Sequence, residues 1–402
     1  MRRFGRLSFA DRRTALGLIA GAMFVGTSAL TASAQSVVSG QVSWRENTEK
    51  APITVETVAS GLEHPWGLAF LPGEAGGMLV TERAGRLRFV TRDGAVSSPL
   101  KGVPPVLARG QAGLLDIALD PDFAGNRLVY LSYVEAREGG SGIAVAQGRL
   151  SADHTGLEAV SVIFRQKGAY SGSANFGARL VFAADGTLYV TIGDRFGTRD
   201  EAQDLTSHVG KVLRINRDGS IPVNNPFTGE KQAGKGALPE IWSLGHRNPQ
   251  GAAIHPRTGQ LWTQEHGARG GDEVNITRKG LNYGWPIITH GVDYSGAKIG
   301  VGPAREGMEQ PLYYWVPSIA PSGMAFYQNG AIAAWRNSVF LGALAGRALV
   351  RLELANERVT HEEKMLTKMG ERIRDVRLGP DRQLYLLTDS PQGRILRVRE
   401  AR

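Results

Sequence analysis

The feature that most constrains this chain is a theme repeated along most of its length: a turn containing Asp, Gly or Pro, a short apolar strand, and a second strand of the same kind. Clear instances are Gly186–Ile192 with Gly210–Ile215, and Gln383–Thr388 with Arg394–Val398. Other instances begin at Gly76, Asn126, Gly259 and Asn337. Six such strand groups at blade-length spacing predict an all-β fold, specifically a six-bladed β-propeller. A doubly wound α/β fold is disfavoured because no long helical period separates the strands. Only Ser141–Arg149 and Asp200–His208 leave room for short helices.

Composition sets the outer limits of the prediction. The chain has 402 residues, 52 of them Gly, and contains no Cys. The length allows one large core or two domains, and since no linker divides residues 35–402 we expect a single catalytic domain there. The absence of Cys excludes disulfides, thiolate metal sites and cysteine nucleophiles. The basic residues of this part are scattered singly, which argues against a nucleic-acid partner.

Residues 1–34 are predicted to be an export signal rather than part of the fold. Five arginines precede the apolar run Ala15–Val25, and Ala32–Ala34 forms a small-residue cleavage pattern. The run is too short for a stable membrane anchor, and the Arg12–Arg13 pair is compatible with the twin-arginine route. The formal charge of +9 would fall to +5 on removal of the segment, which holds five Arg and one Asp. We therefore expect a soluble periplasmic protein.

Two loop regions carry residues suited to ligand chemistry. The stretch Leu244–Gly251 reads LGHRNPQG and places a guanidinium beside an amide, a plausible clamp for a planar ligand with carboxylates. The stretch Gln264–Glu273 combines glycine-rich backbone with acidic side chains, which suits the oxygen coordination of Ca²⁺. Taken singly, each stretch is equally consistent with a solvated loop.

Several motifs together resemble those of one family. In chain order they are Gly61–Phe70, Gln111–Phe123, Ser173–Arg195, Leu244–Gly251, Tyr314–Ser322 and Arg372–Val376. The chain resembles the soluble quinoprotein glucose/sorbosone dehydrogenases, and most of all their aldose sugar dehydrogenase branch. The resemblance covers nearly all of the chain after the signal. It implies a six-bladed propeller that oxidises the anomeric hydroxyl of aldoses by hydride transfer to Ca²⁺-bound pyrroloquinoline quinone.

The resemblance also implies roles for individual residues. The implied quinone contacts are Gln111, Arg247, Asn248, Ser318, Arg372 and Arg374. Arginines and amides suit a cofactor that has three carboxylates. The backbone carbonyls of Gly267 and Ala268 match the ligands of the cofactor's Ca²⁺. A second, structural Ca²⁺ site of the family is matched by Glu273, Asp293 and the carbonyl of Tyr283.

The chain departs from the family at the catalytic base. The family's histidine takes the proton of the sugar hydroxyl and is oriented by an aspartate that matches Asp194; its position here is Asn175, nineteen residues earlier. An amide is not basic near neutral pH, so Asn175 is expected to position the hydroxyl without taking its proton. Arg247 completes the predicted catalytic group.

Several interpretations therefore stay open. The base is relocated, with His246, Glu265 or His266 as candidates; or the chain is a weak or altered-substrate dehydrogenase; or it binds cofactor or sugar without turnover. A Ca²⁺-dependent propeller hydrolase of the lactonase kind belongs to another class, which needs one axial metal instead of paired arginines. The expected partners are a small sugar and an unidentified electron acceptor, for a monomer or homodimer. Tyr170, Tyr313 and Trp315 are candidates for lining the propeller mouth.

Overall fold

The computed structural model describes residues 43–73, 77–229, 232 and 234–401, and within them the chain forms twenty-four β-strands grouped in six sheets. The six sheets are the blades of a β-propeller, so the predicted all-β fold is confirmed. The predicted export signal, residues 1–34, lies outside the described residues. Within the described ranges, the helices are too short for any of them to be a membrane span.

The blades follow one another along the chain, each an antiparallel sheet. Blade 1 contains β3 (Pro65–Phe70), β4 (Met78–Glu82) and β5 (Arg86–Val90). Blade 2 contains β6 (Leu114–Leu119), β7 (Leu128–Arg137), β8 (Gly140–Leu150) and β9 (Leu157–Arg165). Blade 3 contains β10 (Gly177–Phe182), β11 (Leu188–Ile192), β12 (Lys211–Ile215) and β13 (Ile241–Leu244).

The second half repeats the plan. Blade 4 contains β14 (Pro249–Ile254), β15 (Leu261–Glu265), β16 (Asp272–Thr277) and β17 (Tyr313–Trp315). Blade 5 contains β18 (Pro321–Phe326), β19 (Ser338–Ala343), β20 (Ala348–Ala355) and β21 (Arg358–Met365). Blade 6 contains β22 (Ile373–Leu378), β23 (Leu384–Thr388) and β24 (Gly393–Glu400), and is completed by β2 (Pro52–Leu62) and β1 (Ser43–Asn47).

The helical elements whose bounds are described are single turns. They are α1 (Phe123–Asn126) and the 3₁₀ turns Arg199–Gln203, Ala333–Trp335 and Thr367–Met369. The expectation of a short helix is met within Asp200–His208, where the 3₁₀ turn begins one residue earlier. It is wrong for Ser141–Arg149, which lies inside β8 and pairs with both β7 and β9.

The innermost strands share one six-residue frame. At the third position of β6, β10 and β22 stand Asp116, Arg179 and Asp375, whereas β3, β14 and β18 have glycine there. The buried Arg179 guanidinium donates to Asp116 at 3.0 Å and to Asp375 at 3.1 Å, which joins three blades. A Cβ at Gly323 would lie 2.2 Å from Asp375 Oδ1, so glycine leaves room for this ion cluster. Apolar side chains packed between neighbouring blades make up the rest of the core.

Candidate active site

A cavity of about 230 Å³ lies where residues from all six blades meet. We call it the central cavity. Its lining includes three of the predicted quinone contacts, Gln111, Arg372 and Arg374. The remaining lining residues are Trp66, Arg83, Leu115, Phe176, Gly177, Gln250, His266, Ala320, Leu344 and Asp389. Three arginines at one cavity give it a cationic wall, which suits an anionic ligand.

Arg374 is the most tightly held of these arginines. Its Nη1 donates to Gln250 Oε1 at 2.9 Å and its Nη2 donates to Asp389 Oδ2 at 3.0 Å. Burial alone would raise the pKa of Asp389, but Arg374, His64 and Arg372 outweigh it and hold that pKa well below its usual range. Asp389 therefore stays a carboxylate and fixes both arginines. The Arg374 Nε is buried and has no hydrogen-bond partner among the described residues.

The three predicted catalytic residues, Asn175, Asp194 and Arg247, lie together and their backbones are joined by hydrogen bonds. The Asp194 N–H donates to the carbonyl of Arg247 at 2.7 Å, and the Arg195 N–H donates to the carbonyl of Asn175 at 3.1 Å. Glycine at 193 permits this approach, because a Cβ there would lie 2.2 Å from the Asn175 carbonyl oxygen. Asn175 itself has φ of +53°, a left-handed conformation that asparagine tolerates better than most residues.

The buried side chain of Asp194 accepts three hydrogen bonds. Asn175 Nδ2 and the Phe196 N–H donate to Oδ1 at 2.9 and 2.8 Å, and Trp285 Nε1 donates to Oδ2 at 2.8 Å. Burial raises the pKa of Asp194 above its ordinary value, although Arg247 and these donors act in the opposite direction. Because a carboxylate only accepts, the contact fixes the Asn175 amide with its nitrogen toward Asp194, which leaves its oxygen as an acceptor.

Three buried side chains, those of Ser243, His246 and Glu265, form hydrogen bonds that hold the LGHRNPQG loop in place. His246 Nε2 lies 2.8 Å from Ser243 Oγ, and its Nδ1 lies 2.9 Å from Glu265 Oε1. The other carboxylate oxygen of Glu265 accepts the backbone N–H groups of Arg247 and Asn248. Both ring nitrogens of His246 and both oxygens of Glu265 are thus engaged. These contacts hold the loop, and neither His246 nor Glu265 lines the central or the lateral cavity.

The amide of Asn248 bridges blades 3 and 4. Its Oδ1 accepts from the Gly177 N–H and from Gln250 Nε2, each at 3.1 Å. Its Nδ2 is buried without a partner among the described residues, as is Arg247 Nε. Arg247 Nη1 donates to the His266 carbonyl at 3.0 Å.

A second cavity, of about 290 Å³, lies beside Asp194 between loops of blades 3 and 4; we call it the lateral cavity. Four predicted site residues line it: Asp194, Arg247, Ala268 and Asp293. Its aromatic lining is Phe196, Trp285 and Tyr294. The expected mouth residues line neither cavity: Tyr170 donates to Glu201, while Tyr313 and Trp315 both donate to Glu362.

The glycine-rich loop after β15 is tightly folded around its own carbonyls. A Cβ at Gly267 would lie 2.2 Å from the carbonyl oxygen of Gly270. The Gly267 N–H donates to Asp272 Oδ1 at 2.8 Å, and Ser318 Oγ donates to Asp272 Oδ2 at 2.6 Å. Ser318 was expected at the cofactor; its hydroxyl is used here to hold this loop, and it lines neither the central nor the lateral cavity.

The predicted structural Ca²⁺ ligands are divided between two places. Glu273 and Tyr283 border a void of about 10 Å³, room for about one water. Asp293 lines the lateral cavity and pairs with Arg199 at 3.7 Å. Burial, with Glu265 nearby, raises the pKa of Glu273 to about 8. Among the described residues, no three His, Asp or Glu side chains converge as a metal site.

Sequence reasoning missed some of the residues that complete the site. Trp66 and Gln250 occupy the second position of the six-residue frame, where β22 has Arg374. Aligning the innermost strands would have found both. Asp389 follows β23 and had no distinguishing signal.

Comparison with known proteins agrees with this geometry. Residues 62–397 match the family described as glucose/sorbosone dehydrogenase. The aldose sugar dehydrogenase YliI of Escherichia coli (strain K12) is 46% identical over 351 residues, covering 87% of this chain and 93% of that protein. The crystal structure of the soluble aldose sugar dehydrogenase from Escherichia coli, in its apo-form, is 46% identical to this chain in sequence. The two structures match with a TM-score of 0.84, and the match covers 87% of this chain and 100% of that one.

One solved relative contains a cofactor. The PQQ-bound form of aldose sugar dehydrogenase from Streptomyces coelicolor is 30% identical, with a TM-score of 0.69 over 87% of this chain and 99% of that one. The family match spans most of the chain, and the fold and the arginine-lined cavity agree with it. The chain therefore belongs to the glucose/sorbosone dehydrogenase family.

Proposed function

We propose that this protein is a quinoprotein oxidoreductase that oxidises the anomeric hydroxyl of aldose sugars, with pyrroloquinoline quinone reaching from the central cavity to Arg247 at the lateral cavity. The observation that carries the proposal is a set of three buried donors without partners: Arg247 Nε, Asn248 Nδ2 and Arg374 Nε. Buried donors are nearly always hydrogen-bonded, and leaving one unmade costs roughly 1–3 kcal/mol. A ligand with carboxylates and carbonyl oxygens would satisfy all three.

The residues present fit the quinone. Gln111, Arg372 and Arg374 line the central cavity, with Trp66 as an apolar wall. Arg247 and Asn248 would hold it from blade 4. Ser318 is assigned only an indirect part, through Asp272. When bound, the quinone supplies a two-electron acceptor. The pair Arg372 and Arg374 at the central cavity also favours this function over that of a hydrolase, which would need one metal on the propeller axis.

Calcium is proposed at the glycine-rich loop. The carbonyls of Gly267 and Ala268 belong to a cradle too tight for a side chain at 267, and hard cations take such oxygens. Bound there, Ca²⁺ would supply a Lewis acid. Glu273, which carries a raised pKa, and the Tyr283 carbonyl are proposed as ligands of a second ion. Asp293 belongs to that site only if its loop moves, because it lines a different cavity.

The chain's own residues would divide the remaining work. The sugar is proposed to occupy the lateral cavity, between Phe196 and Tyr294. Asn175 Oδ1 is proposed to accept a hydrogen bond from a sugar hydroxyl next to the anomeric one, which orients the ring. Arg247 lies between the two cavities through its contact with the His266 carbonyl. Export through the segment 1–34 would place the enzyme in the periplasm, with a separate electron acceptor.

The asparagine at the base position supports one further candidate function: a propeller that binds quinone and sugar without useful turnover. General-base catalysis contributes about 10²–10⁴-fold, so its loss leaves binding intact while turnover falls. The two candidates share every binding residue and differ only in rate.

The test is dye-linked oxidation of an aldose panel by the purified protein with quinone and Ca²⁺. The matched control substrate is the methyl glycoside of each aldose, which lacks the free anomeric hydroxyl. We expect turnover of the aldose alone, lost when quinone is left out. Quinone binding without turnover would select the binding propeller. Turnover without quinone would refute the proposal.

A further inference from the structure

We propose that Asp194 itself takes the hydroxyl proton in this protein, replacing the histidine that its relatives use. This inference rests on the dehydrogenase function proposed above. It adds a catalytic residue: the family's orienting carboxylate becomes the proton acceptor, and Asn175 becomes the group that orients the substrate.

Asp194 can be reached from the lateral cavity. Asp194 lines the lateral cavity although its exposed fraction is only 1%. A carboxylate has about four acceptor positions, and Asp194 uses three: two on Oδ1 and one on Oδ2. One position on Oδ2 is left for a substrate hydroxyl, next to the indole of Trp285.

None of the three other candidate bases lines the lateral cavity. His246 has both ring nitrogens occupied and, like Glu265, is absent from the lining of that cavity. His266 Nε2 donates to the Pro321 carbonyl at 2.7 Å, so this nitrogen has no free lone pair. It also lines the central cavity and the small void, not the lateral cavity.

The surroundings of the Asp194 carboxylate also affect its basicity. Burial raises the pKa of Asp194, and a higher pKa makes a carboxylate a stronger proton acceptor. The groups that face it are Arg247, which opposes this shift, and neutral donors from Asn175, Phe196 and Trp285. The other charged residues of the cavity are Arg199, Asp200 and Asp293.

The chemical step balances. The O–H bond of the anomeric hydroxyl breaks and its proton moves to Asp194 Oδ2. The C1–H bond breaks with its electron pair, which passes as hydride to an oxidant of the quinone class. A C=O bond forms at C1, so the aldose becomes a lactone, while the quinone is reduced by two electrons and takes one further proton from solvent.

The experiment is a double-mutant cycle between Asp194→Asn and Asn175→His. Turnover and quinone affinity, the latter by quenching of tryptophan fluorescence, are measured for the wild type, both single variants and the double variant. If Asp194 is the base, Asp194→Asn lowers kcat by about 10²–10⁴-fold while quinone affinity is retained. Turnover is also measured as a function of pH: in the Asn175→His background the imidazole is the base, so the acidic limb of the kcat profile should differ from that of the wild type.

Each outcome decides the matter. An acidic limb that is the same in the wild type and in Asn175→His means a structural role for Asp194 and overturns the inference, as does a loss of kcat below threefold for Asp194→Asn in the wild-type background. Turnover that appears only in Asn175→His also overturns it, while retaining the quinone site. Failure of all four proteins to bind quinone would refute the proposed function itself. Asp194→Glu, which keeps the charge, separates misfolding from loss of the base: it should recover part of the turnover.

Discussion

Lys211 offers a prediction whose size follows from the structure. Its side chain is 0% exposed, and Nζ donates to the carbonyls of Glu201 at 2.8 Å, Ala202 at 3.0 Å and Val209 at 2.7 Å. It thereby anchors the segment between Asp194 and β12, which forms one side of the lateral cavity. Burial lowers the pKa of Lys211 from 10.5 to about 7.

The sign and magnitude follow from proton linkage. Between about pH 7 and pH 10.5 the unfolded chain keeps the Lys211 proton while the folded protein has lost it, so folding stability rises with pH across that window. Each pKa unit corresponds to about 1.4 kcal/mol, which makes the full effect about 5 kcal/mol. Lys211→Met abolishes this titration. The wild type should therefore gain up to about 5 kcal/mol of unfolding free energy relative to the variant between pH 6 and pH 10.5.

The assay is urea unfolding at a series of pH values, followed by tryptophan fluorescence. Lys368→Met, at an exposed position, is the control, and its difference from the wild type should be flat with pH. A flat difference for Lys211→Met as well would refute the reasoning, since it would mean that the folded protein holds the proton as firmly as the unfolded chain.

Three further predictions concern ligand sites and the ion cluster. Arg374→Leu should weaken quinone binding by about 10- to 100-fold, because a charge-assisted hydrogen bond contributes about 1.5–3 kcal/mol; fluorescence titration measures it, with the exposed Arg336→Leu as control. Added Ca²⁺ should raise the Tm of the wild type and of Asp293→Asn more than that of Glu273→Gln, which keeps only the site at Gly267 and Ala268, and equal responses in all three would exclude Glu273 as a ligand. Arg179→Met should lower the unfolding free energy by about 3–5 kcal/mol, since it leaves Asp116 and Asp375 buried with less compensating charge; Arg149→Met, which breaks an exposed pair, should cost less than about 1 kcal/mol in the same urea assay.

The sequence predicted the architecture because each blade repeats a local signal. Turn residues before short apolar strands recur often enough to indicate six blades, and no long-range information is needed. The stretch Ser141–Arg149 was misread for a physical reason. Its Gly and Ala residues lack the branched side chains typical of strands, and only pairing with β7 and β9 makes it one.

The site was less accessible to sequence reasoning because it depends on residues far apart in the chain. Motif order placed Asn175, Asp194 and Arg247 in one group, and the structure brings them together. Motif order did not reveal that the Ser318 hydroxyl donates to Asp272, or that Asp293 lines a different cavity from Glu273, since both depend on loop packing. The part played by Glu265 in holding the backbone of Arg247 is likewise visible only in three dimensions.

The pairing of β2 with β24 has a consequence for how the protein is made. Register runs from Ile53 opposite Glu400 to Leu62 opposite Gly393, so the sheet that carries Arg374 on β22 is completed by strands from opposite ends of the chain. Because β24 follows the other described strands in the chain, until it is made β2 pairs only with β1 and the circle of blades is open. An early stop within β24 would leave this circle open, and with quinone bound as proposed above it would yield a protein unable to retain that quinone.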